Sequence, residues 1–97
     1  MAGWILTSRD DDPVTFRLMT GHVKTIGRTA RADFILDAAL VSRIHCRLTA
    51  DKSDQLVVDD LGSTNGTLVN GKRVERSLLK AGDVLTVGRV EFSIAQG

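Results

Sequence analysis

Residues 67–74 read Thr-Leu-Val-Asn-Gly-Lys-Arg-Val, and this stretch indicates the fold class more clearly than any other. Asn70-Gly71 stands between two short runs that resemble β-strands. A two-residue Asn-Gly connection is typical of a type I′ turn, because both central residues of that turn need a positive φ. The stretch therefore predicts a tight antiparallel hairpin.

Short apolar runs separated by glycines and polar clusters continue on both sides of this hairpin. No window shows helical apolar spacing over a length that could form a stable helix, and residues 77–80 could form one helical turn at most. About ten short strands at close spacing are typical of an all-β antiparallel sandwich or barrel. Besides the hairpin, the predicted strands cover residues 4–6, 14–19, 22–26, 34–36, 44–49, 56–58, 84–87 and 90–94.

The composition indicates one small globular domain. The chain has 97 residues, of which 42% are hydrophobic and 26% charged, with a formal net charge of +1. This near-neutral balance gives no general attraction to nucleic acid or to an anionic membrane. Cys46 is the only cysteine, which fits a reducing compartment. We therefore expect an intracellular protein, cytoplasmic with the nucleus still open, and a monomer as an isolated domain.

Three predicted loops contain the residues suited to binding. They are Gly27-Arg28, Ser42-Arg43-Ile44-His45, and Gly62-Ser63-Thr64-Asn65-Gly66-Thr67. Arginine forms planar, bidentate hydrogen bonds with phosphate, and hydroxyls and loop N–H groups can bind the remaining oxygens. Loops gather at the ends of a sandwich, so the three segments can form one anion site.

These motifs, in this order, resemble the signature of forkhead-associated (FHA) domains. The closing segment, residues 79–88, also resembles that family, and the similarity extends over about residues 4–94. The resemblance implies an eleven-stranded β-sandwich of the FHA/SMAD-like type, with residues 1–97 forming a single domain. It also implies a module that binds phosphothreonine in partner proteins during signalling, without a cofactor or a metal ion.

The resemblance further implies roles for individual residues. By motif position, Arg28 and Ser42 would bind the phosphate, and Thr64 would contact or support the phosphate side. Asn65 would bind the peptide backbone, and Arg43 would lie beside the ligand. The family prefers phosphothreonine to phosphoserine because a small pocket accepts the threonine methyl group, which contributes about 0.8 kcal/mol when buried.

Three further residues are implied to support the loops. Gly27 and Gly66 would shape their turns, and His45 would tie the binding loops together. Simple strand alternation places His45 on the face opposite Cys46, which is hard to reconcile with that role. We expect Arg31 to be solvated. Arg47 is expected to be solvated as well.

The loop before Ser42 bears on sequence preference. In this family that loop helps to recognise the third residue after the phosphothreonine. Leu40 lies in this loop and suggests an apolar contact at that position.

Other functions fit the sequence less well. Ser42, His45 and Asp59 invite a catalytic triad, but side chains three apart in an extended strand point to opposite faces, and no Gly-x-Ser-x-Gly motif is present. The third loop lacks the lysine of a P-loop. The few aromatic residues are predicted to be buried, which argues against binding of single-stranded nucleic acid. A phosphate-independent interaction domain remains the alternative.

Overall fold

Eleven β-strands form two sheets in the computed structural model, which describes residues 3–97. The strands are β1 Gly3–Ser8, β2 Thr15–Met19, β3 Val23–Gly27, β4 Phe34–Ile35, β5 Cys46–Ala50, β6 Leu56–Asp60, β7 Thr67–Val69, β8 Lys72–Val74, β9 Arg76–Leu79, β10 Val84–Val87 and β11 Val90–Gln96. Residues 3–97 contain no helix, and so none long and apolar enough to cross a bilayer. The predicted all-β sandwich is confirmed. Residues 1–2 of the predicted domain lie outside the described part.

One sheet has six strands in the order β2-β1-β11-β10-β7-β8, and the other has five in the order β4-β3-β5-β6-β9. Every neighbouring pair is antiparallel except β3 and β4, which run parallel over a short register. The inward side chains of both sheets fill one core, in which Leu6, Leu18, Leu48, Leu85 and Phe92 are essentially inaccessible to solvent. The core therefore holds both sheets in a fixed relation and leaves the loops at the two ends.

The hairpin predicted from residues 67–74 is confirmed. Asn70 has a φ of 51° and Gly71 a φ of 84°, and Val69 pairs with Lys72 across the turn. The side chain of Asn70 also donates a hydrogen bond to Asp83 at 3.0 Å. This bond joins the hairpin to the turn before β10.

Residues 77–80, for which the sequence allows one helical turn at most, form none, because most of this segment is strand β9. Leu79 pairs with Leu56 and is buried beside it, whereas Leu78 is exposed on the outer face. A segment this short has little conformational preference of its own, so pairing with β6 decides its structure.

The two ends of the sandwich differ in what they carry. At one end β3 finishes, β5 begins and β6 finishes, so the three loops of interest come together there. At the other end the backbone N–H of Gly97 donates to the carbonyl oxygen of Gly3 at 3.1 Å. Both ends of the described chain therefore lie away from those loops.

Candidate functional site

A groove of about 790 Å³ lies where the three loops meet. Five of the eight residues singled out from the sequence line it, namely Arg28, Ser42, Arg43, Thr64 and Asn65. The other three, Gly27, His45 and Gly66, are buried behind the groove. The structure thus separates the predicted ligand-binding residues from the predicted supporting residues. The remaining wall is formed by Thr29, Arg31, Leu40, Val41, Ile44 and Gly62.

Arg28 is attached to the second loop by two hydrogen bonds. Its backbone N–H donates to the carbonyl oxygen of Ser42 at 2.9 Å, and its side-chain Nε donates to the carbonyl oxygen of Val41 at 3.0 Å. The second bond fixes the direction of an otherwise flexible side chain. The two terminal nitrogens of the guanidinium stay available for an anion in the groove.

Ser42 connects the second and third loops. Its Oγ accepts a hydrogen bond from the backbone N–H of Thr64 at 3.1 Å. A serine hydroxyl can accept this bond and still donate its own proton. Ser42 is therefore oriented to donate that proton to an acceptor in the groove.

His45 is completely buried, and both of its ring nitrogens are engaged. Nδ1 accepts the backbone N–H of Ser42 at 3.1 Å, so Nε2 carries the proton and donates to the carbonyl oxygen of Gly66 at 2.8 Å. One neutral imidazole thereby joins the second loop to the third. This geometry accords with the loop-supporting role expected for His45.

The backbone at His45 is not the extended strand expected from the sequence. Strand alternation does not apply to it, because β5 begins only at Cys46 and both residues point inward. Ser42 and His45 are not on opposite faces of an extended strand either, since residues 43–44 form a bend. The imidazole ring of His45 lies beside Ser42, where it accepts a hydrogen bond from the backbone N–H of Ser42 and not from the Ser42 hydroxyl. The bend therefore brings the two residues together without forming a nucleophile and base pair.

The two supporting glycines have different reasons to be glycine. A Cβ on Gly27 would collide with the carbonyl oxygen of Arg43, so β3 and the second loop can approach only without a side chain there. Gly66 has a φ of 91°, and a Cβ on it would lie 2.9 Å from Nε of Arg73. L-residues rarely adopt that φ.

Comparison with known proteins identifies this arrangement. A family model described as FHA domain matches residues 24–88, which is more than half of the chain. The chain belongs to the FHA domain family. The matched residues include all three loops that form the groove.

Individual relatives agree with that membership. An ABC transporter ATP-binding/permease protein of Mycobacterium tuberculosis is 38% identical over 84 residues, covering 87% of this chain and 10% of that protein. The crystal structure of the FHA domain of CT664 protein from Chlamydia trachomatis gives a TM-score of 0.89 at 26% identity, with 96% of each chain covered. A chain from a structural and functional analysis of phosphothreonine-dependent FHA domain interactions gives 0.87 at 35% identity, covering 95% of this chain and 94% of that one.

This FHA domain spans only part of the curated proteins that it resembles, from 10% to 66% of their length. The similarity therefore describes the domain and the groove it carries.

Asp60 organises the third loop of this FHA domain, a role that the sequence analysis missed. Its Oδ1 accepts hydrogen bonds from the hydroxyls of Ser63 at 2.5 Å and Thr67 at 2.8 Å, and its Oδ2 accepts the N–H groups of Gly62 and Ser63. Desolvation alone would raise the pKa of Asp60, but these hydrogen bonds outweigh it and hold the pKa below its ordinary value. The spacing Asp60-x-Gly62 was the available signal, because in an Asx turn the carboxylate accepts the N–H two residues further on.

Asn65 is held by a hydrogen bond to the second loop region that could not be predicted from the sequence. Its Nδ2 donates to the carbonyl oxygen of Leu40 at 3.1 Å, and Leu40 has an unusual φ of 71° for a residue with a side chain. A Cβ on Gly88 would lie 2.8 Å from the same carbonyl oxygen. Gly88 thus leaves room for the backbone that positions Asn65, while the Oδ1 atom of Asn65 remains able to accept a peptide N–H.

The charge of the groove is entirely positive. Arg28, Arg31 and Arg43 line it, and no aspartate or glutamate does. The salt bridges among residues 3–97 are made by other arginines, of which Arg47 contacts Asp59 at 3.4 Å. Arg31, expected to be solvated, is exposed but forms part of the groove wall.

Proposed function

We propose that this FHA domain binds phosphothreonine in partner proteins and thereby mediates phosphorylation-dependent protein interactions in signalling. The observation that carries the proposal is the meeting, in one groove without carboxylates, of the free end of Arg28 and the hydroxyl of Ser42. Both are donors, and both are fixed in direction before any ligand arrives. Pre-oriented donors of this kind suit a phosphate dianion.

Each groove residue has a specific part in this proposal. The guanidinium of Arg28 binds two phosphate oxygens, and the hydroxyl of Ser42 donates a hydrogen bond to a further phosphate oxygen. Thr64 lies next to Ser42 and supports the phosphate side of the groove. Asn65 uses its Oδ1 to hold the peptide backbone, and Arg43 lies beside the ligand. The solved relative named for phosphothreonine-dependent interactions supports the same ligand.

Preference for neighbouring peptide residues is also part of the proposal. Leu40 is 40% exposed and lines the groove. An apolar side chain three residues after the phosphothreonine would cover it and remove apolar surface from water. A phosphopeptide library oriented on phosphothreonine should therefore select aliphatic residues at that position. Selection of acidic residues at the same position would contradict this part of the proposal.

The domain acts as a binding module without catalysis in this proposal. His45 cannot serve as a general base for Ser42 because Nδ1 already accepts an N–H and Nε2 already donates to a carbonyl. General-base catalysis requires a free basic nitrogen within hydrogen-bond reach of the proton it removes.

We place the module inside the cell, as a single domain that spans residues 1–97 with its core at about residues 4–94. The phosphorylated partner proteins are expected in the same compartment. The buried thiol of Cys46 is consistent with a reducing compartment.

Titration calorimetry tests the proposal directly. A phosphothreonine peptide should bind, its unphosphorylated form should not, and the phosphoserine form should bind more weakly. Arg28→Ala should weaken phosphopeptide binding by about 2 kcal/mol or more, because a charge-assisted pair is lost. Arg17→Ala is the matched control, since Arg17 is an exposed arginine on the edge strand β2. Equal binding of both peptide forms would instead favour a phosphate-independent interaction domain.

A further inference from the structure

Arg31 lies on the groove wall, in the segment 28–33 between β3 and β4 that extends the first loop, and no motif explains it. Its side chain is exposed and lines the same groove as Arg28 and Arg43. No carboxylate among residues 3–97 forms a salt bridge with it. The guanidinium of Arg31 is thus a free cation beside the proposed phosphate site.

The loop that carries Arg31 is held on both sides. On one side, Ala32 N–H donates to the carbonyl oxygen of Thr29 at 3.0 Å, and the hydroxyl of Thr29 donates to the carbonyl oxygen of Arg43 at 3.3 Å. On the other side, Asp33 accepts hydrogen bonds from the N–H and hydroxyl of Thr25 at 2.9 Å and 3.1 Å. These contacts limit the positions that Arg31 can take relative to the groove.

Asp33 is the acidic residue nearest to Arg31 in sequence, but it is used elsewhere. The hydrogen bonds from Thr25 lower the pKa of Asp33 below its ordinary value. These hydrogen bonds hold the carboxylate of Asp33 against β3, and no salt bridge joins it to Arg31.

The charges in the groove do not balance with phosphothreonine alone. Three arginines line the groove, and a phosphothreonine carries about −1.5 to −2 at neutral pH. Roughly one positive charge is left without a partner. A single carboxylate elsewhere in the bound peptide would neutralise this remaining positive charge of the groove.

We infer that Arg31 is a specificity-determining residue that selects an aspartate or glutamate in the bound peptide, at a position whose side chain passes over the first loop. This inference rests on the proposed function, because the peptide is placed by its phosphothreonine. Arg28 and Ser42 hold the phosphate, and Arg31 distinguishes among phosphothreonine peptides.

The test uses a phosphothreonine peptide with valine at the third position after the phosphothreonine, which is assigned to Leu40, and alanine at the other positions within four residues on either side. In one series aspartate replaces each alanine in turn, and in a matched series asparagine does. Binding to the wild type, Arg31→Gln and Arg43→Gln is measured by titration calorimetry at low and high salt. Arg17→Gln on the remote strand β2 is the control for loss of one positive charge.

We expect one position at which aspartate binds about two- to fivefold more tightly than asparagine in the wild type, which is the range of a partly exposed ion pair. The preference should vanish in Arg31→Gln, persist in Arg17→Gln, and shrink at high salt. The inference is overturned if no position favours aspartate. It is equally overturned if the preference survives in Arg31→Gln or depends only on Arg43. Failure of every one of these phosphothreonine peptides to bind the wild type is a separate result, since it would overturn the proposed function itself.

Discussion

The backbone N–H of Thr64 donates a hydrogen bond to Oγ of Ser42 at 3.1 Å, and this bond joins two loops that are far apart in sequence. It uses the acceptor capacity of the hydroxyl and leaves its donor capacity unused. The hydroxyl of Ser42 therefore has one contact inside the protein and a proton left to donate to the ligand, and the two can be measured separately.

Ser42→Ala should affect binding much more than folding. Loss of a hydrogen bond to the phosphate should cost about 1.5–3 kcal/mol, or roughly a 10- to 150-fold rise in Kd. The free energy of unfolding should fall by about 1 kcal/mol or less, because only a partly exposed bond is lost. Calorimetry and urea denaturation measure the two effects. Ser53→Ala, in the exposed turn after β5, should change neither; a Ser42→Ala variant with unchanged Kd would remove Ser42 from the site.

Arg28→Lys tests geometry apart from charge. Lysine keeps the positive charge but loses the Nε bond to the carbonyl oxygen of Val41 and the planar pair of donors. We expect Kd to rise by about tenfold or more at constant net charge. Arg89→Lys, an exposed substitution in the turn between β10 and β11, is the control. If lysine sustained full affinity, the site would be recognising charge alone.

Phosphopeptide affinity should fall as the pH drops through about 6. The second pKa of phosphothreonine lies near 6, so the fraction of dianion decreases from about one half at pH 6 to about one tenth at pH 5. Arginine keeps its charge over this range. Calorimetry between pH 7.5 and 5 should show a several-fold rise in Kd, and a constant Kd would show that the groove does not distinguish dianion from monoanion.

Asp60 should make the fold sensitive to acid. Its pKa is lower in the folded protein than in the unfolded chain, so its stabilising effect is fully present above pH 4 or so and is lost as the pH falls through the folded value. Asp60→Asn should lower the free energy of unfolding at pH 7 and flatten its dependence on pH below 4. Urea denaturation at several pH values measures both, and identical acid profiles for the two proteins would exclude this role. Asp11→Asn, in the exposed turn after β1, is the matched control.

Cys46 should be unreactive in the native protein. It is fully buried, and burial raises the pKa of its thiol to about 12. Only the thiolate is nucleophilic. Iodoacetamide at pH 8 should therefore modify the protein at a rate set by unfolding, and rapidly in urea. Fast labelling without denaturant would contradict the packing of β5 against the core.

The sequence predicted most strands and all three loops, because turn chemistry and alternation are local properties. Asn70-Gly71 illustrates this, since the required positive φ values follow from two adjacent residues. Prediction from the sequence failed where the structure depends on contacts between residues far apart in the chain. β9 exists because of its pairing with β6, and the left-handed conformation of Leu40 occurs where Gly88 leaves space beside its carbonyl group.

The same limit applies within the groove. The motif residues were identified from their types and spacing, but the hydrogen bonds that orient them were not. The orientation of the His45 ring follows from the bend at residues 43–44, which the sequence did not predict. The N–H that the ring accepts lies 3 residues away, and the carbonyl oxygen to which it donates lies 21 residues away. The role of Asp60 was not predicted because its hydrogen-bond partners are backbone N–H groups and hydroxyls. Such partners are uncharged, so no pattern of opposite charges in the sequence indicates the contacts.

The hydrogen bond between Gly97 and Gly3 has a practical consequence for experiments on this domain. Strand β11 runs from the turn beside Leu40 to this pair, a distance of roughly 20 Å at the usual rise per residue. A tag or fluorescent protein joined to the domain through Gly3 or Gly97 would thus be attached at the end opposite the groove. On a sensor chip, immobilisation through such a tag would leave the groove facing the flowing solution.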